Sequence, residues 1–159
     1  MIIGKEKDKT DTEVTVHLLK IDEITKELNV FFLKQWADLV ERGHASSNYI
    51  PEHSSGSTRI LYATIDDQIV GHILFEFTTS KDSFIHFTVV DERFRRHGLY
   101  QLMHKFYDKV MRHSQVARSK SMLHINNTAI IEAAKKIGYS VEYYKMVKEY
   151  KNQSSDPFK

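Results

Sequence analysis

The sequence predicts a single α/β domain of the α+β kind, with strands and helices in the order β-α-β-β-β-α-β-α-β-β. Three observations carry that reading. Residues 84–90 are a run of β-formers, and they feed a basic turn, Arg93-Phe94-Arg95-Arg96-His97-Gly98. From Leu99 onward apolar residues recur at 99, 102, 103, 106, 107 and 110, the spacing of one helical face. Upstream, residues 59–65 and 68–78 read as two strands joined by Asp66-Asp67, a short hairpin turn.

The remaining elements follow in chain order. Residues 1–13 are polar and charged and are expected to fray, as is the tail at 151–159. Residues 14–19 (VTVHLL) read as the first strand. Between residues 21 and 42 the positions Ile24, Leu28, Phe31, Phe32, Trp36, Leu39 and Val40 keep helical spacing, as one helix or two joined near Asn29, with Gly43 as the stop. Residues 44–58 form the least structured internal stretch, and His44, Tyr49 and His53 in it are candidates to touch an acceptor or ordinary loop residues. Within residues 68–78, Ile69, Gly71, Ile73, Phe75 and Phe77 alternate with Val70, His72, Leu74 and Glu76. After the helix from Leu99, residues 119–125 make a further strand. Asn126 and Asn127 then offer N-caps to a short helix with Ile130, Ile131, Ala134 and Ile137 on its apolar side. Gly138 closes that helix, and residues 140–144 and 146–150 read as final strands.

Size and composition exclude several classes. A chain of 159 residues with 41% hydrophobic and 28% charged residues fits one soluble domain with a sizeable core. No apolar run approaches the roughly 20 residues that span a bilayer. Residues 1–13 lack the apolar core of a signal peptide, so a cytoplasmic setting without a membrane partner is expected. With no cysteine there is no disulfide, thiolate metal site or cysteine nucleophile, and the nine histidines show no metal-ligand spacing with carboxylates. A net charge of +2 argues against a dedicated nucleic-acid binder. The positive charge is nevertheless uneven. Arg93, Arg95, Arg96, Lys105, Lys109, Arg112, Arg118 and Lys120 cluster in one stretch opposed only by Asp108, which suits either plain solubility or a compact anionic ligand.

A strand that runs through a glycine turn into a helix start is a phosphate device. The first helical N–H groups lack internal partners and converge with the positive end of the helix dipole. Gly98 permits close approach, and Arg95 and Arg96 add donors suited to phosphate oxygens. The stretch from Val90 to Tyr100 resembles motif A of the GNAT superfamily of N-acetyltransferases, Arg/Gln-x-x-Gly-x-Gly/Ala. Arg95 and Gly98 match it, and Tyr100 departs from the small final residue. Residues 67–73 (DQIVGHI) resemble a strand common in that superfamily. Residues 127–139 resemble its second signature through Asn127, Lys136, Gly138 and Tyr139, with Ala134 where the family has tyrosine.

The resemblance covers roughly residues 14–150 and implies a mixed, mostly antiparallel sheet of six to seven strands, split at its central strands and flanked by about four helices. It further implies acetyl-CoA as co-substrate and an amine of a small molecule or protein as acceptor. The turn amides of Arg95, Arg96, His97, Gly98, Leu99 and Tyr100 would hold the diphosphate. Main chain at Thr88, Val89 and Val90 would hold the pantetheine, with an N–H near Val89 polarising the thioester carbonyl. Asn127 resembles the asparagine that touches that arm, and it is equally an N-cap. His86 is the candidate base, on the same strand face as Phe84, Thr88 and Val90 by simple alternation. A histidine there resembles the arylalkylamine N-acetyltransferases. Tyr139 is the expected acid, with Tyr143, Tyr144 or solvent as substitutes. Many members dimerise, so a homodimer is an expectation. The alternatives are a GNAT-fold binding module with little activity, motivated by Ala134 and Tyr100, and an unrelated α/β nucleic-acid-binding domain. The acceptor itself cannot be read, since acceptor residues lie on variable loops.

Overall fold

Side chains that alternate along a strand reach opposite faces of a sheet, and in this chain helices cover both. The computed structural model describes residues 1–44, 57–79, 81–123 and 126–141. Within them lie β1 (Ile2–Lys7), β2 (Glu13–Lys20), α1 (Lys26–Glu41), β3 (Thr58–Ile65), β4 (Gln68–Phe77), β5 (Asp82–Val90), α2 (Leu99–His113), β6 (Arg118–Ser121) and α3 (Thr128–Lys136). Turns of 3-10 helix occupy Ile21–Glu23 and Glu92–Phe94. The strands form one sheet in the order β1-β2-β3-β4-β5-β6, antiparallel throughout except for the parallel pair β5–β6. A parallel pair needs a crossover, and α2 supplies it.

The two cores explain why these segments take these forms. On one face Leu99, Leu102, Met103, Phe106, Tyr107 and Met111 of α2 pack on Val14, Val16, Leu61, Ala63, Ile73, Phe75 and Ile85. On the other, Leu28 and Phe32 of α1 meet Ile60, Leu74, Phe87 and Val89. β4 feeds both cores, so its residues 70–75 are all buried, and it reads as a continuous apolar run. Each buried Leu or Phe contributes about 1.5–3 kcal/mol.

Several expectations need correction. Residues 1–13 are not a frayed tail: β1 pairs with β2 from Gly4↔Val16 to Lys7↔Glu13, and Asp8 closes the hairpin by accepting from Thr10 N (2.7 Å) and Thr12 N (3.1 Å). The reason is packing. Gly4 lies so close to the Phe106 ring of α2 that a Cβ there would come within 2.2 Å of it. Residues 26–41 make one helix, without a break at Asn29; it starts where Thr25 Oγ1 accepts from Leu28 N (3.3 Å) rather than at Ile21. Three helices are found among the described residues, where about four were expected. β6 ends at Ser121, short of the expected residue 125. The expected strands beyond residue 141, most of the 44–58 stretch, the tail at 151–159 and the side chains of Tyr49, His53, Tyr143 and Tyr144 lie outside the described residues. No described helix is long and apolar enough to cross a membrane.

Two features of β5 open the sheet. Its register on β4 runs Phe87↔Leu74 and then Ile85↔Phe75, so His86 is an extra residue, a β-bulge. Its pairing with β6 covers only Asp82↔Arg118 to Ile85↔Ser121. Beyond Ile85 no described strand lies on that side, and the sheet is split.

Gly71 holds β4 against β5 at the far end of this split, since a Cβ there would stand 2.8 Å from the Val89 carbonyl oxygen. Gly71→Ala is expected to cost about 1–3 kcal/mol and lower the melting temperature by roughly 5 °C. A melting curve superposable on that of the parent chain would show that the two backbones are not in this contact.

Candidate active site

The free edge of β5 leads directly to the start of α2. Asp91 ends the strand: its N–H donates to Val70 O (2.9 Å), and its carboxylate accepts from Arg93 N (3.0 Å) and pairs with the Arg93 guanidinium (3.1 and 3.2 Å). The chain then turns through Arg96 (φ +69°) and Gly98 (φ +83°). Gly98 is the N-cap, and the first helical bond is Leu102 N–H to Gly98 O (3.0 Å). The N–H groups of Leu99, Tyr100 and Gln101 therefore have no helical partner and sit at the positive end of the dipole.

Tyr100 does not extend the turn. Its ring lies against His104, one helical turn on, with centroids 4.4 Å apart, and burial pushes its phenol up to about 12. Arg93 is engaged by Asp91, whereas Arg96 is exposed with no ion pair among the described residues. Arg95 bends back: its Nε donates to Val90 O (3.2 Å) and its Nη2 lies 3.6 Å from Asp38 of α1. His97 Nδ1 is 3.9 Å from Asp8.

Register decides which main-chain groups face the opening. Asp91 N–H is turned toward β4, so by alternation Val89 also pairs with β4, opposite His72. The N–H and C=O groups of Thr88 and Val90 face the free edge, consistent with Arg95 reaching Val90 O. The donor expected near Val89 is thus displaced by one residue.

His86 stands at the vertex of the split, where β6 pairing stops. The bulge corrects its predicted face. Ile85 packs with α2, whereas Phe87 and Val89 pack with α1, so the alternation shifts by one across His86. His86 shares a face with Phe84, ring centroids 5.0 Å apart, while Val90 packs on the opposite, α2 side and Thr88 alternates with it. His86 Nε2 lies 3.3 Å from Glu76 Oε1, with side chains 14% and 27% exposed. A carboxylate that orients an imidazole is the arrangement a general base uses. Sequence reading missed Glu76, although a carboxylate inside the apolar run of β4 was a visible signal.

Tyr139 lies on the other face. It packs on the α2 core, and its hydroxyl donates to Ser119 Oγ (3.2 Å). Ser119 also contacts the Tyr107 hydroxyl, which is 2.6 Å from Ser83 Oγ. Burial pushes the Tyr139 phenol up, against the opposing effect of the Ser119 hydrogen bond. The structure therefore does not bring His86 and Tyr139 together. Asn127 caps α3, its Oδ1 accepting from Ile130 N (3.4 Å).

Comparison with known proteins agrees with this geometry. A family model described as the acetyltransferase (GNAT) family matches residues 21–139. The chain is similar in fold to an aminoglycoside acetyltransferase from an uncultured soil metagenomic sample, with a TM-score of 0.63 at 11% identity over 88% of this chain and 97% of that one. A ribosomal-protein-alanine N-acetyltransferase from Brucella melitensis biovar Abortus superposes with a TM-score of 0.62 at 13% identity, over 86% and 99%. A transcriptional regulator from Bacillus halodurans gives 0.65 at 10% identity, over 85% and 99%. At such identities the likeness is one of fold. No curated protein matches in sequence.

His104 lies behind the turn among Tyr100, Tyr107 and Tyr139, and neither ring nitrogen has a hydrogen-bond partner among the described residues. Burial pushes its pKa down from 6.5 to about 4. The unfolded chain then takes up this proton first. The stability contributed here is complete above the ordinary value and drains away as pH falls toward the folded one. Between pH 7.5 and 5 the parent chain is expected to lose about 2 kcal/mol more than His104→Leu in urea titrations. Equal losses in both proteins would remove His104 from the acid response.

Proposed function

The chain belongs to the acetyltransferase (GNAT) family and is on that ground an N-acetyltransferase; from that premise we propose that it uses acetyl-CoA as donor and a primary amine of a small molecule or protein as acceptor. One observation carries the proposal: a strand edge, Thr88 to Val90, that no described strand pairs, leads through a short turn to a helix start whose first N–H groups have no helical partner. The residues present fit the donor. Leu99, Tyr100 and Gln101 offer main-chain donors for a diphosphate, Gly98 makes the turn at positive φ, and Arg96 is a nearby cation with no ion pair among the described residues. Thr88 and Val90 offer the hydrogen-bonding edge an amide-bearing pantetheine arm requires, with Asn127 as a further contact.

The donor supplies an activated acyl group as a thioester, and the chain's residues supply position and proton transfer. Strand-edge N–H groups fix the thioester carbonyl and favour the charge that develops on it. His86 takes the proton from the attacking amine on Nδ1, directly or through one water, while Glu76 holds the ring through Nε2. Arg95 is released from Val90 O when the edge is taken by the donor, and its guanidinium then becomes available to phosphate. With Tyr139 bonded to Ser119, the departing thiolate draws its proton from water or from the imidazolium that His86 has become.

The test is a calorimetric titration with acetyl-CoA, followed by measurement of CoA release against a panel of amines. Saturable binding with turnover on at least one amine is expected. Binding without any turnover would assign the chain to the non-catalytic module, and absence of heat would end the donor reading. His86→Ala is expected to lower kcat by about 10²-fold, and Glu76→Gln by about tenfold, with donor affinity changed less than about twofold in both. Unchanged kcat in His86→Ala would remove it from the mechanism.

A further inference from the structure

The turn between β1 and β2 is docked on the phosphate turn, and acyl transfer with His86 as base makes no use of it. Lys9 N–H donates to His97 O (3.0 Å). The Lys9 stem covers Gly98, so a Cβ added there would stand 2.8 Å from Lys9 Cγ. Asp8 organises this turn. Its Oδ1 accepts from Thr10 N (2.7 Å), Thr10 Oγ1 (2.7 Å) and Thr12 N (3.1 Å). Its side chain is 0% exposed and faces His97 Nδ1 at 3.9 Å, yet Oδ2 has no hydrogen-bond partner among the described residues.

A half-satisfied buried carboxylate is costly to keep. Burial pushes the Asp8 carboxyl up, but the bonds from Thr10 and Thr12 and the nearness of His97 outweigh this and hold it below its ordinary value. It is therefore an anion at neutral pH, beside a turn that would receive another anion. Acting directly, it would repel a diphosphate. Acting through a cation, it would help to hold one. His97, in the phosphate turn itself, is the group that Asp8 Oδ2 faces.

We propose that Asp8 is a positioning residue for donor binding: its Oδ2 accepts the Nδ1–H of His97 and so turns the opposite Nε2–H toward the phosphates of a nucleotide-bearing thioester. This rests on acetyl-CoA being the donor. The pair stands at ion-pair distance and closes to a hydrogen bond as the ring turns. The groups that face His97 are Asp8 and Lys9 from the β1–β2 turn, Arg96 on its own segment, and the Phe94 ring at 6.3 Å. Only Asp8 among them favours the charged imidazole. The added N-terminal hairpin thereby becomes part of the donor site, although it lies outside the residues matched by the family model.

Asp8→Asn tests this, because the amide keeps an oxygen for Thr10 and Thr12 and removes only the charge on Oδ2. With CoA as the titrant, calorimetry is expected to show affinity about tenfold weaker in Asp8→Asn. In the free protein, the Nδ1–H of His97 should lose its hydrogen-bonded NMR chemical shift in Asp8→Asn. Simple removal of a repelling charge predicts the opposite sign, so equal or tighter CoA binding overturns the proposal. His97→Gln, which leaves the β1–β2 turn intact, should show the same weakening with an unchanged melting temperature, and adding Asp8→Asn to it should cost nothing further; additive losses overturn the proposal even if the Asp8 variant alone folds poorly. Two failures remain distinguishable. A parent chain that takes up no CoA overturns the donor reading and this role with it, whereas CoA binding with an unchanged His97 Nδ1–H shift in Asp8→Asn overturns this role alone.

Discussion

The structure depends on where the pairing of β5 with β6 stops. The junction is stapled at one end. The Asp82 carboxylate meets the Arg118 guanidinium (3.1 and 3.0 Å) and the Lys120 ammonium (3.5 Å), and Ser83, Tyr107 and Ser119 share a buried hydroxyl network. Surface ion pairs contribute little on their own. A satisfied buried network fixes geometry more firmly. At the other end Ser121 Oγ donates to Ile85 O (3.2 Å), so a side chain takes the last carbonyl on that side and the ladder goes no further. Every main-chain group offered to a ligand on β5 exists because this ladder ends after Ile85.

The bulge at His86 follows from the same constraint. Below the vertex β5 must present Ser83 and Ile85 to α2, where Tyr107 requires a hydroxyl partner. Above it, β5 must give Phe87 and Val89 to α1, where Phe87 meets Phe32 and Trp36 at 5.3 and 5.2 Å between centroids. An unbroken alternation cannot serve both cores, since all four of these residues are odd-numbered and would share one face. One extra residue resolves the conflict, and that residue is the histidine beside Glu76. The bulge is therefore a packing solution that also leaves an imidazole at the mouth of the opening.

Periodicity made most of the fold legible. β2, β3, β4, β5, α2 and α3 stand within a few residues of where apolar spacing puts them, and the turn glycines Gly98 and Gly138 stand at positive φ. β1 was not legible because Lys5 and Glu6 belong to an edge strand with little apolar face, and the close contact of Gly4 with Phe106 of α2 is a tertiary one. The bulge was hidden for another reason. Residues 83–90 are apolar on both sides, so the pattern fits either register. At the site, the turn around Gly98 could be read locally. The partners of Arg95 and His86 could not, because Asp38 and Glu76 come from elements whose approach is a tertiary fact.

The division of the sheet's two faces bears on how protons travel. His86 opens on the α1 side, and Tyr139 is held on the α2 side by Ser119. The two groups thus face opposite layers on either side of the split. Burial also holds the Tyr139 phenol above its ordinary value, which makes it a reluctant donor. Ala134 is buried on the same side: Tyr139 N–H donates to Ala134 O (3.1 Å), so the alanine belongs to the packed end of α3. The candidate base and the described candidate acid are therefore set apart, each held by its own partner on its own face of the sheet.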